Sequence, residues 1–278
     1  MSRITLDQVT GTNFSYQHVT FERFLDDMVE LGRTRLELWG IAQHLHIPQF
    51  SFADARIMRA RLAQRGLSVE CITPEQVMYP VNLASSVGWL RSSSIQMFQK
   101  AADICVELEA PLLFLTPGRG FEDEPVADAW NRAVDAIGEI SAYAAAAGVD
   151  CVLEPLQRQE SNLVNDAGQL AQMLDDVAAP NLFVALDTVA MACAGDTIAG
   201  YFETFGDRVR HVHLIDGKPA GHMAWGDGEL PLPDYLNDLG DAGYRGCMSF
   251  EIFGAKNTFE PLDAHRRSLD AVERVLAA

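Results

Sequence analysis

Four short apolar runs in this chain each end beside a side chain that can bind a metal ion. The runs have the length and composition of β-strands and cover residues 149–153, 182–186, 209–212 and 247–250. The side chains directly after them are those of Glu154, Asp187, His213 and Glu251. Strands with this spacing are typical of a βα-repeat barrel, in which all strands are parallel and their carboxyl ends meet on one face. The sequence therefore predicts that three carboxylates and one imidazole converge there.

This ligand set suits a single divalent cation. Carboxylate oxygens favour Mn²⁺ or Mg²⁺, and the added imidazole also admits Co²⁺ or Zn²⁺. An acidic residue after any one strand is commonly a helix N-cap or a solvated loop carboxylate. Capping explains four strands poorly, because caps are usually Ser, Thr, Asp or Asn and rarely Glu or His. We therefore interpret the four side chains as ligands of one ion.

Strand-like and helix-like patterns alternate along the whole chain, which is typical of a parallel α/β fold. The other four strand-like runs are 4–9, 35–39, 67–72 and 112–115, and the last strand can extend to residue 252. Eight helical patterns lie at about 20–32, 51–66, 95–108, 126–147, 167–177, 198–205, 234–242 and 262–276. No Pro-, Gly- or Ser-rich linker interrupts them, so residues 1–278 are predicted to form a single domain, an α/β fold closed as a (β/α)₈ TIM barrel.

Composition excludes several partners. Hydrophobic residues make up 48% of the chain, yet no run approaches the roughly 18 apolar residues of a membrane span, so no membrane partner is expected. A net charge of −18 repels phosphate backbones, so nucleic acid is not expected either. The five cysteines lack CxxC spacing, and the N-terminus lacks a secretory pattern, which favours buried thiols and a cytoplasmic location.

Several motifs resemble those of one enzyme superfamily. They are Leu153-Glu154-Pro155-Leu156, Glu160-Ser161-Asn162, Leu186-Asp187, the run from His211 to Asp216, His222 ahead of Gly226-Asp227-Gly228, and Glu251, with Leu36-Glu37-Leu38-Trp39-Gly40, Thr73-Pro74-Glu75 and Tyr79-Pro80 nearer the start. Together they resemble the xylose-isomerase-like sugar isomerase/epimerase superfamily of TIM barrels. Within it, the fructoselysine 3-epimerases are the most similar group.

The resemblance implies a metal-dependent isomerase or epimerase of a keto sugar or sugar conjugate. In the superfamily, one divalent ion, most often Mn²⁺, is held by residues matching Glu154, Asp187, His213 and Glu251, and the two glutamates also transfer protons on opposite faces of the substrate. A metal that polarises a ketose carbonyl makes the neighbouring C–H acidic enough for a carboxylate to remove its proton, which gives a cis-enediolate. Barrels of this group often form homo-oligomers, and we expect the same here.

The chain also departs from the ketose 3-epimerase pattern at two positions. The histidine that usually follows the metal Asp by three positions is replaced by Ala190, and the arginine expected after the metal His is missing, with only Lys218 nearby. These departures argue against a free ketose such as tagatose or psicose. The small residue suggests room for a bulkier or conjugated sugar.

Six further side chains are candidates for substrate binding, and each has a plain structural alternative. They are Glu160, His222, Trp39, His44, Arg119 and Trp225. The two tryptophans can stack on a sugar face, and core or rim packing explains them equally well. The others can bind hydroxyl groups, or they can be solvated loop residues.

Other functions remain open on the same scaffold. The catalytic subunit of a C-glycoside deglycosidase would cleave a 3-oxo-C-glycoside and would require a small β-sheet partner subunit. Inosose isomerase or dehydratase chemistry is a further alternative. A metal-dependent endonuclease would need more His and Asp ligands and a basic groove, and a non-catalytic binding protein would be expected to have lost one of the paired glutamates.

Overall fold

A closed barrel of eight parallel strands forms the centre of the molecule. The computed structural model describes residues 4–76 and 80–278. The strands are β1 Val9–Thr12, β2 Arg35–Trp39, β3 Ser68–Thr73, β4 Leu112–Leu115, β5 Asp150–Leu153, β6 Leu182–Asp187, β7 Val209–His213 and β8 Cys247–Ser249. They pair in sequence order, and β1 closes the barrel against β8. The predicted (β/α)₈ fold is confirmed.

Helices surround the barrel and connect successive strands. They are α1 Phe21–Glu30, α2 Ala42–Leu45, α3 Phe52–Gln64, α4 Gly88–Leu108, α5 Val126–Ala146, α6 Ala167–Val177, α7 Thr188–Ala194, α8 Ile198–Phe205, α9 Leu232–Asp241, α10 Ala255–Phe259 and α11 Pro261–Leu276. Eight of these match the eight predicted helices. The short helices α2, α7 and α10 come after β2, β6 and β8, and the sequence did not predict them.

Side-chain caps mark the first residues of helices α1 and α3. The Thr20 hydroxyl accepts a hydrogen bond from the backbone N–H of Arg23 at the start of α1. At the start of α3, Ser51 and Asp54 bond each other's backbone N–H groups in a reciprocal capping box. These side chains satisfy N–H groups that the first turn of a helix leaves without partners.

The prediction for the first strand was wrong. Residues 4–9 were expected to form it, but Leu6–Gln8 form a 3₁₀ turn and the strand is Val9–Thr12. The strand contains polar residues because one of its faces lines a polar part of the barrel interior. The Thr10 hydroxyl, for example, lies 2.7 Å from that of Ser249 on β8. A search for apolar runs therefore ended the strand too early.

Alternate strand residues separate the inside of the barrel from the layer beneath the helices. On β4, Leu113 and Leu115 join the large core, whereas Leu112 and Phe114 belong to a small separate cluster with residues of three other strands. No helix in the described part of the chain is long and apolar enough to cross a membrane. Four cysteines are buried as expected, but Cys193 on α7 is exposed.

Candidate active site

The four predicted metal ligands meet at the carboxyl ends of strands β5 to β8. One ligand atom from each of Glu154, Asp187, His213 and Glu251 lies within 4.8 Å of all the others. The Nδ1 atom of His213 lies 2.9 Å from a Glu154 oxygen, 3.1 Å from a Glu251 oxygen and 4.0 Å from an Asp187 oxygen. All four side chains are buried. The cluster is therefore compact enough for all four groups to contact one ion.

The three carboxylates of the cluster share a small buried volume, and their pKa values move in different directions. Burial raises the pKa of Glu154 to about 8, and the charges of Glu251 and Asp187 add to this against the charge of His213. Burial likewise raises the pKa of Asp187 to about 6. Burial also acts to raise the pKa of Glu251, but the charges of His213 and His222 outweigh it and lower that pKa to about 2. A cation bound among these groups would favour the ionised form of all three carboxylates.

Three polar atoms of the cluster lack hydrogen bonds. Oε1 of Glu154, Oδ2 of Asp187 and Nδ1 of His213 are buried, and no described residue forms a hydrogen bond with them. Buried polar atoms are almost always paired in folded proteins, and a cation would pair all three of these atoms, two of which, Oε1 of Glu154 and Nδ1 of His213, lie 2.9 Å apart without hydrogen-bond geometry. Carboxylate oxygens with one imidazole nitrogen form a donor set that suits a divalent ion. The residues present therefore fit such an ion.

Asp187 combines the two roles that the sequence left as alternatives. It is the last residue of β6 and the N-cap of α7, where its Oδ1 atom accepts a hydrogen bond of 2.5 Å from the backbone N–H of Ala190. Its other oxygen, Oδ2, is the unpaired atom in the cluster. The helix cap thus fixes the direction of the carboxylate.

Glu37 is a further buried carboxylate beside the cluster, and the sequence alone assigned it no role. Its oxygens lie 2.8 Å from Nε2 of His211 and 3.2 Å from Nε2 of His213. The Thr73 hydroxyl donates to it as well. The signal in the sequence was an acidic residue between two leucines in the middle of a strand-like run.

A cavity of about 470 Å³ opens above the cluster. Glu154, Asp187 and Glu251 lie in its wall, together with Phe14, Gln17, Trp39, Glu75, Gln76, Phe114, Thr116, Pro155, Leu156, Gln157, Glu160, Ala190, His222 and Phe253. No Lys or Arg is present among these described lining residues. Three of the six candidate substrate contacts, Trp39, Glu160 and His222, are thus at the cavity.

Aromatic rings form one wall of this cavity. The ring of Phe14 stacks on Trp39 at 4.1 Å and on Phe253 at 4.9 Å between centroids. The sequence analysis missed Phe14 and Phe253, because Phe14 comes after the wrongly placed first strand and Phe253 comes after the last strand in a loop without a recognisable motif.

His222, which also lies in the cavity wall, contacts the cluster. Its Nε2 atom lies 3.4 Å from an oxygen of Glu251.

The other three candidates lie away from the cavity. The ring nitrogens of His44 lie 3.2 Å from the Asn13 amide and 2.7 Å from the Val19 carbonyl, so this residue packs within the fold. Arg119 donates to the Gln159 carbonyl and pairs with Glu122.

Trp225 is buried, and its indole N–H donates to the Leu214 carbonyl. The structure therefore supports the packing interpretation for Trp225. Side chains on loops take directions set by such local hydrogen bonds, which the sequence pattern did not show.

Several known proteins with similar sequences are sugar epimerases. The model of the family described as xylose isomerase-like TIM barrel matches residues 25–275. The fructoselysine 3-epimerase of Escherichia coli O157:H7 is 29% identical over 239 residues, which cover 85% of this chain and 87% of that protein. The ketose 3-epimerase of Arthrobacter globiformis is 24% identical, with coverage of 80% and 76%.

Two solved structures have the same fold. The D-psicose 3-epimerase of Clostridium cellulolyticum H10, solved with D-tagatose, has a TM-score of 0.79 at 21% identity and covers 96% of this chain and 99% of its own. The 3-keto-D-glucoside 4-epimerase of E. coli has a TM-score of 0.81 at 16% identity, with coverage of 96% and 99%.

Proposed function

The chain belongs to the xylose isomerase-like TIM barrel family, and from this premise we propose that it is a divalent-metal-dependent epimerase of a keto sugar or sugar conjugate. The observation that carries the proposal is the convergence of four buried ligand groups, three of which line one cavity. The epimerase names of the similar proteins favour proton return to the same carbon over elimination.

Glu154, Asp187, His213 and Glu251 would hold the cation, with Mn²⁺ as the first choice and Mg²⁺, Co²⁺ or Zn²⁺ as alternatives. When bound, such an ion polarises the substrate carbonyl as a Lewis acid and makes the adjacent C–H more acidic. The three unpaired buried atoms of the cluster support this assignment.

Glu154 and Glu251 are the proposed acid and base. One carboxylate takes the proton from the carbon next to the carbonyl, the C–H electron pair forms the C=C bond of an enediolate, and the carbonyl oxygen receives the displaced pair. The other glutamate then returns a proton to the opposite face of the same carbon, which inverts its configuration. Both carboxylates lie in the cavity wall, within reach of a substrate bound there, which supports this assignment.

The charges of the cavity wall favour a substrate without phosphate. Its described lining includes the carboxyl groups of Glu75 and Glu160 in addition to the three of the cluster, and it lacks Lys and Arg. A phosphate would meet like charge there and find no bidentate partner. We propose a ketose with a neutral or amine-linked substituent, a class to which the substrate in the name fructoselysine 3-epimerase belongs.

Ala190 and the aromatic wall are consistent with such a conjugate. Ala190 leaves space beside Asp187, and the ring stack that includes Trp39 offers an apolar surface for a sugar face or an aliphatic linker. Glu160 and His222 are the proposed hydrogen-bonding contacts. The roles first suggested for His44, Arg119 and Trp225 are not proposed again.

A panel of substrates in D₂O tests the proposal. The chain is incubated with Mn²⁺ and fructoselysine, free ketoses or 3-oxo-glycosides, and the products are measured by NMR after the metal is removed by a chelator. The expected result is deuterium at the carbon next to the carbonyl together with the epimer. Exchange without an epimer, accompanied by release of an aglycone, would instead indicate elimination, and no exchange with any substrate would contradict the proposal.

A further inference from the structure

Glu37 occupies an unusual place for a charged side chain. It lies in the middle of β2 and is fully buried, and its neighbours Leu36 and Leu38 belong to the core beneath the helices. Strand alternation therefore directs Glu37 to the inside of the barrel. Burial of a carboxylate is unfavourable unless the group is well paired, so the fold must supply partners for Glu37.

The described residues that bond this carboxylate can all act as donors. Thr73, His211 and His213 each direct a polar atom at it, and the ion pairs of the described residues include none between Glu37 and Lys or Arg. An ionised carboxylate can only accept hydrogen bonds. The Nε2 atom of His213 must therefore carry a proton to bond Glu37, which leaves the lone pair of a neutral His213 ring on Nδ1.

The Nδ1 atom of His213 is the one that faces the carboxylate cluster. It lies 2.9 Å from Glu154 and 3.1 Å from Glu251. The ring of Phe114 stacks on the imidazole at 4.7 Å with an angle of 9° between the planes, which restricts its rotation. Tautomer and ring plane together direct the His213 lone pair at the centre of the cluster.

A second chain of contacts holds Glu37 from the other side. Nε2 of His211 lies 2.8 Å from Glu37 and 3.3 Å from the Ser249 hydroxyl, which in turn lies 2.7 Å from that of Thr10. All of these groups are buried. They link β1, β8 and β7 to β2 through the barrel interior and restrict the movement of the carboxylate.

We infer that Glu37 is a positioning residue of the metal centre, which fixes the tautomer and direction of His213 through a buried carboxylate–histidine pair. The inference rests on the proposed metal site. Loss of such a partner behind a histidine ligand typically weakens metal binding by about 10–100-fold. Glu37→Gln keeps the size of the side chain but has one acceptor oxygen and one NH₂ donor. It therefore cannot accept from both histidines in the way that the carboxylate does.

Calorimetric titration with Mn²⁺ tests this inference on the chain after removal of metal by a chelator. Wild type, E37Q and the control E70Q are compared, and circular dichroism checks that each is folded. Glu70 is a carboxylate on the neighbouring strand β3, but it lies near Arg35 at 3.7 Å instead of near histidines. We expect E37Q to bind Mn²⁺ about 10–100-fold more weakly and E70Q to bind like wild type.

Several results would overturn the inference. A folded E37Q that binds Mn²⁺ as tightly as wild type would show that Glu37 has only a structural role. A second tightly bound ion in the wild type that E37Q loses and E70Q keeps would indicate that Glu37, His211 and His213 form a second metal site instead. A wild-type chain without any bound ion would contradict the proposed function as well, which separates the two failures.

A measurement on the wild type covers the case in which E37Q does not fold. The chain is labelled with ¹⁵N-histidine and loaded with diamagnetic Zn²⁺, and the His213 signals are identified by their change on metal addition. A proton on Nε2 with metal-shifted Nδ1 supports the assignment. A proton on Nδ1 overturns it.

Discussion

At the scale of single residues, Glu154 and Glu251 are chemically alike but differ in environment. Burial raises the pKa of the first, whereas the charges of two histidines lower that of the second. We expect E154Q and E251Q each to lose about 10²–10⁴-fold in kcat, the usual contribution of a general acid or base. Deuterium exchange and epimer formation measure the loss, with the exposed Glu203→Gln as the control. A variant that keeps more than about a tenth of the activity would remove that glutamate from proton transfer.

The two roles of Asp187 can be separated by a pair of variants. Asn caps helices about as well as Asp but is a poorer metal ligand. Asp187→Asn should therefore lower metal occupancy without lowering the melting temperature of the metal-free protein, since α7 keeps its cap and the cluster loses one negative charge. Asp187→Ala should lose metal and also destabilise the protein by about 0.5–2 kcal/mol. Metal analysis and calorimetry check both, and full occupancy in both variants would refute the ligand assignment.

Ala190 should govern which ketoses enter the cavity. Ala190→Leu adds a branched side chain to the cavity wall, whereas the control Ala194→Leu adds the same group to an exposed position on the same helix. We expect A190L to lower kcat/KM for a conjugated ketose by about 10-fold or more, because steric misfit in a pocket costs about 1–3 kcal/mol. A smaller loss is expected for a free ketose. Equal losses for both substrates would mean that the substituent binds elsewhere.

At the scale of secondary-structure elements, the features that the sequence predicted are those governed by a rule of the fold. Ligands at strand ends were identified because parallel strands bring their carboxyl ends together. The partners of Glu37 were not, since they come from β3 and β7, and strand pairing distances are not visible in a linear sequence. The short helices after β2, β6 and β8 were missed because helices of four to seven residues are too short to show a helical period.

Helix α11 carries a histidine whose burial has a consequence for acid stability. His265 contacts the Pro261 carbonyl through Nδ1 at 3.0 Å and packs against Tyr16 and Phe250. Burial lowers its pKa to about 4, below the ordinary value of about 6.5. As the pH falls, the unfolded chain therefore takes up a proton at His265 before the folded chain does. The stability that is present above about pH 6.5 is lost as the pH falls towards 4.

A comparison of urea unfolding at pH 7 and pH 5 tests this consequence. Wild type should lose about 1–2 kcal/mol more than His265→Gln over this interval, since a shift of one pKa unit corresponds to about 1.4 kcal/mol. The exposed His46→Gln is the control. If the free energy of unfolding changed equally with pH in wild type and H265Q, the His265 ring would take up its proton without destabilising the fold.

At the scale of the whole molecule, the structure concentrates negative charge both on the surface and inside the barrel. The net charge of the chain is −18. The three carboxylates of the cluster and that of Glu37 lie close together in and above the barrel interior, and among the described residues none of the four pairs with Lys or Arg. Surface charge attracts any divalent ion weakly and is screened by salt. The buried cluster should instead bind one ion tightly. Metal bound at the cluster should therefore stabilise the fold much more than metal attracted to the acidic surface.

Metal addition should therefore stabilise the folded chain through the cluster. At a free Mn²⁺ concentration about 100 times the Kd, binding to the folded state alone adds about 2.7 kcal/mol, which corresponds to about 5–10 °C in melting temperature for a chain of this size. The shift should persist in about 0.5 M salt, where exposed charges are largely screened, be reversed by a chelator and be much smaller in Asp187→Asn. If Mn²⁺ raised the melting temperature of this variant as much as that of wild type, or only at low salt, the stabilisation would come from the acidic surface, and the cluster would not be the metal site.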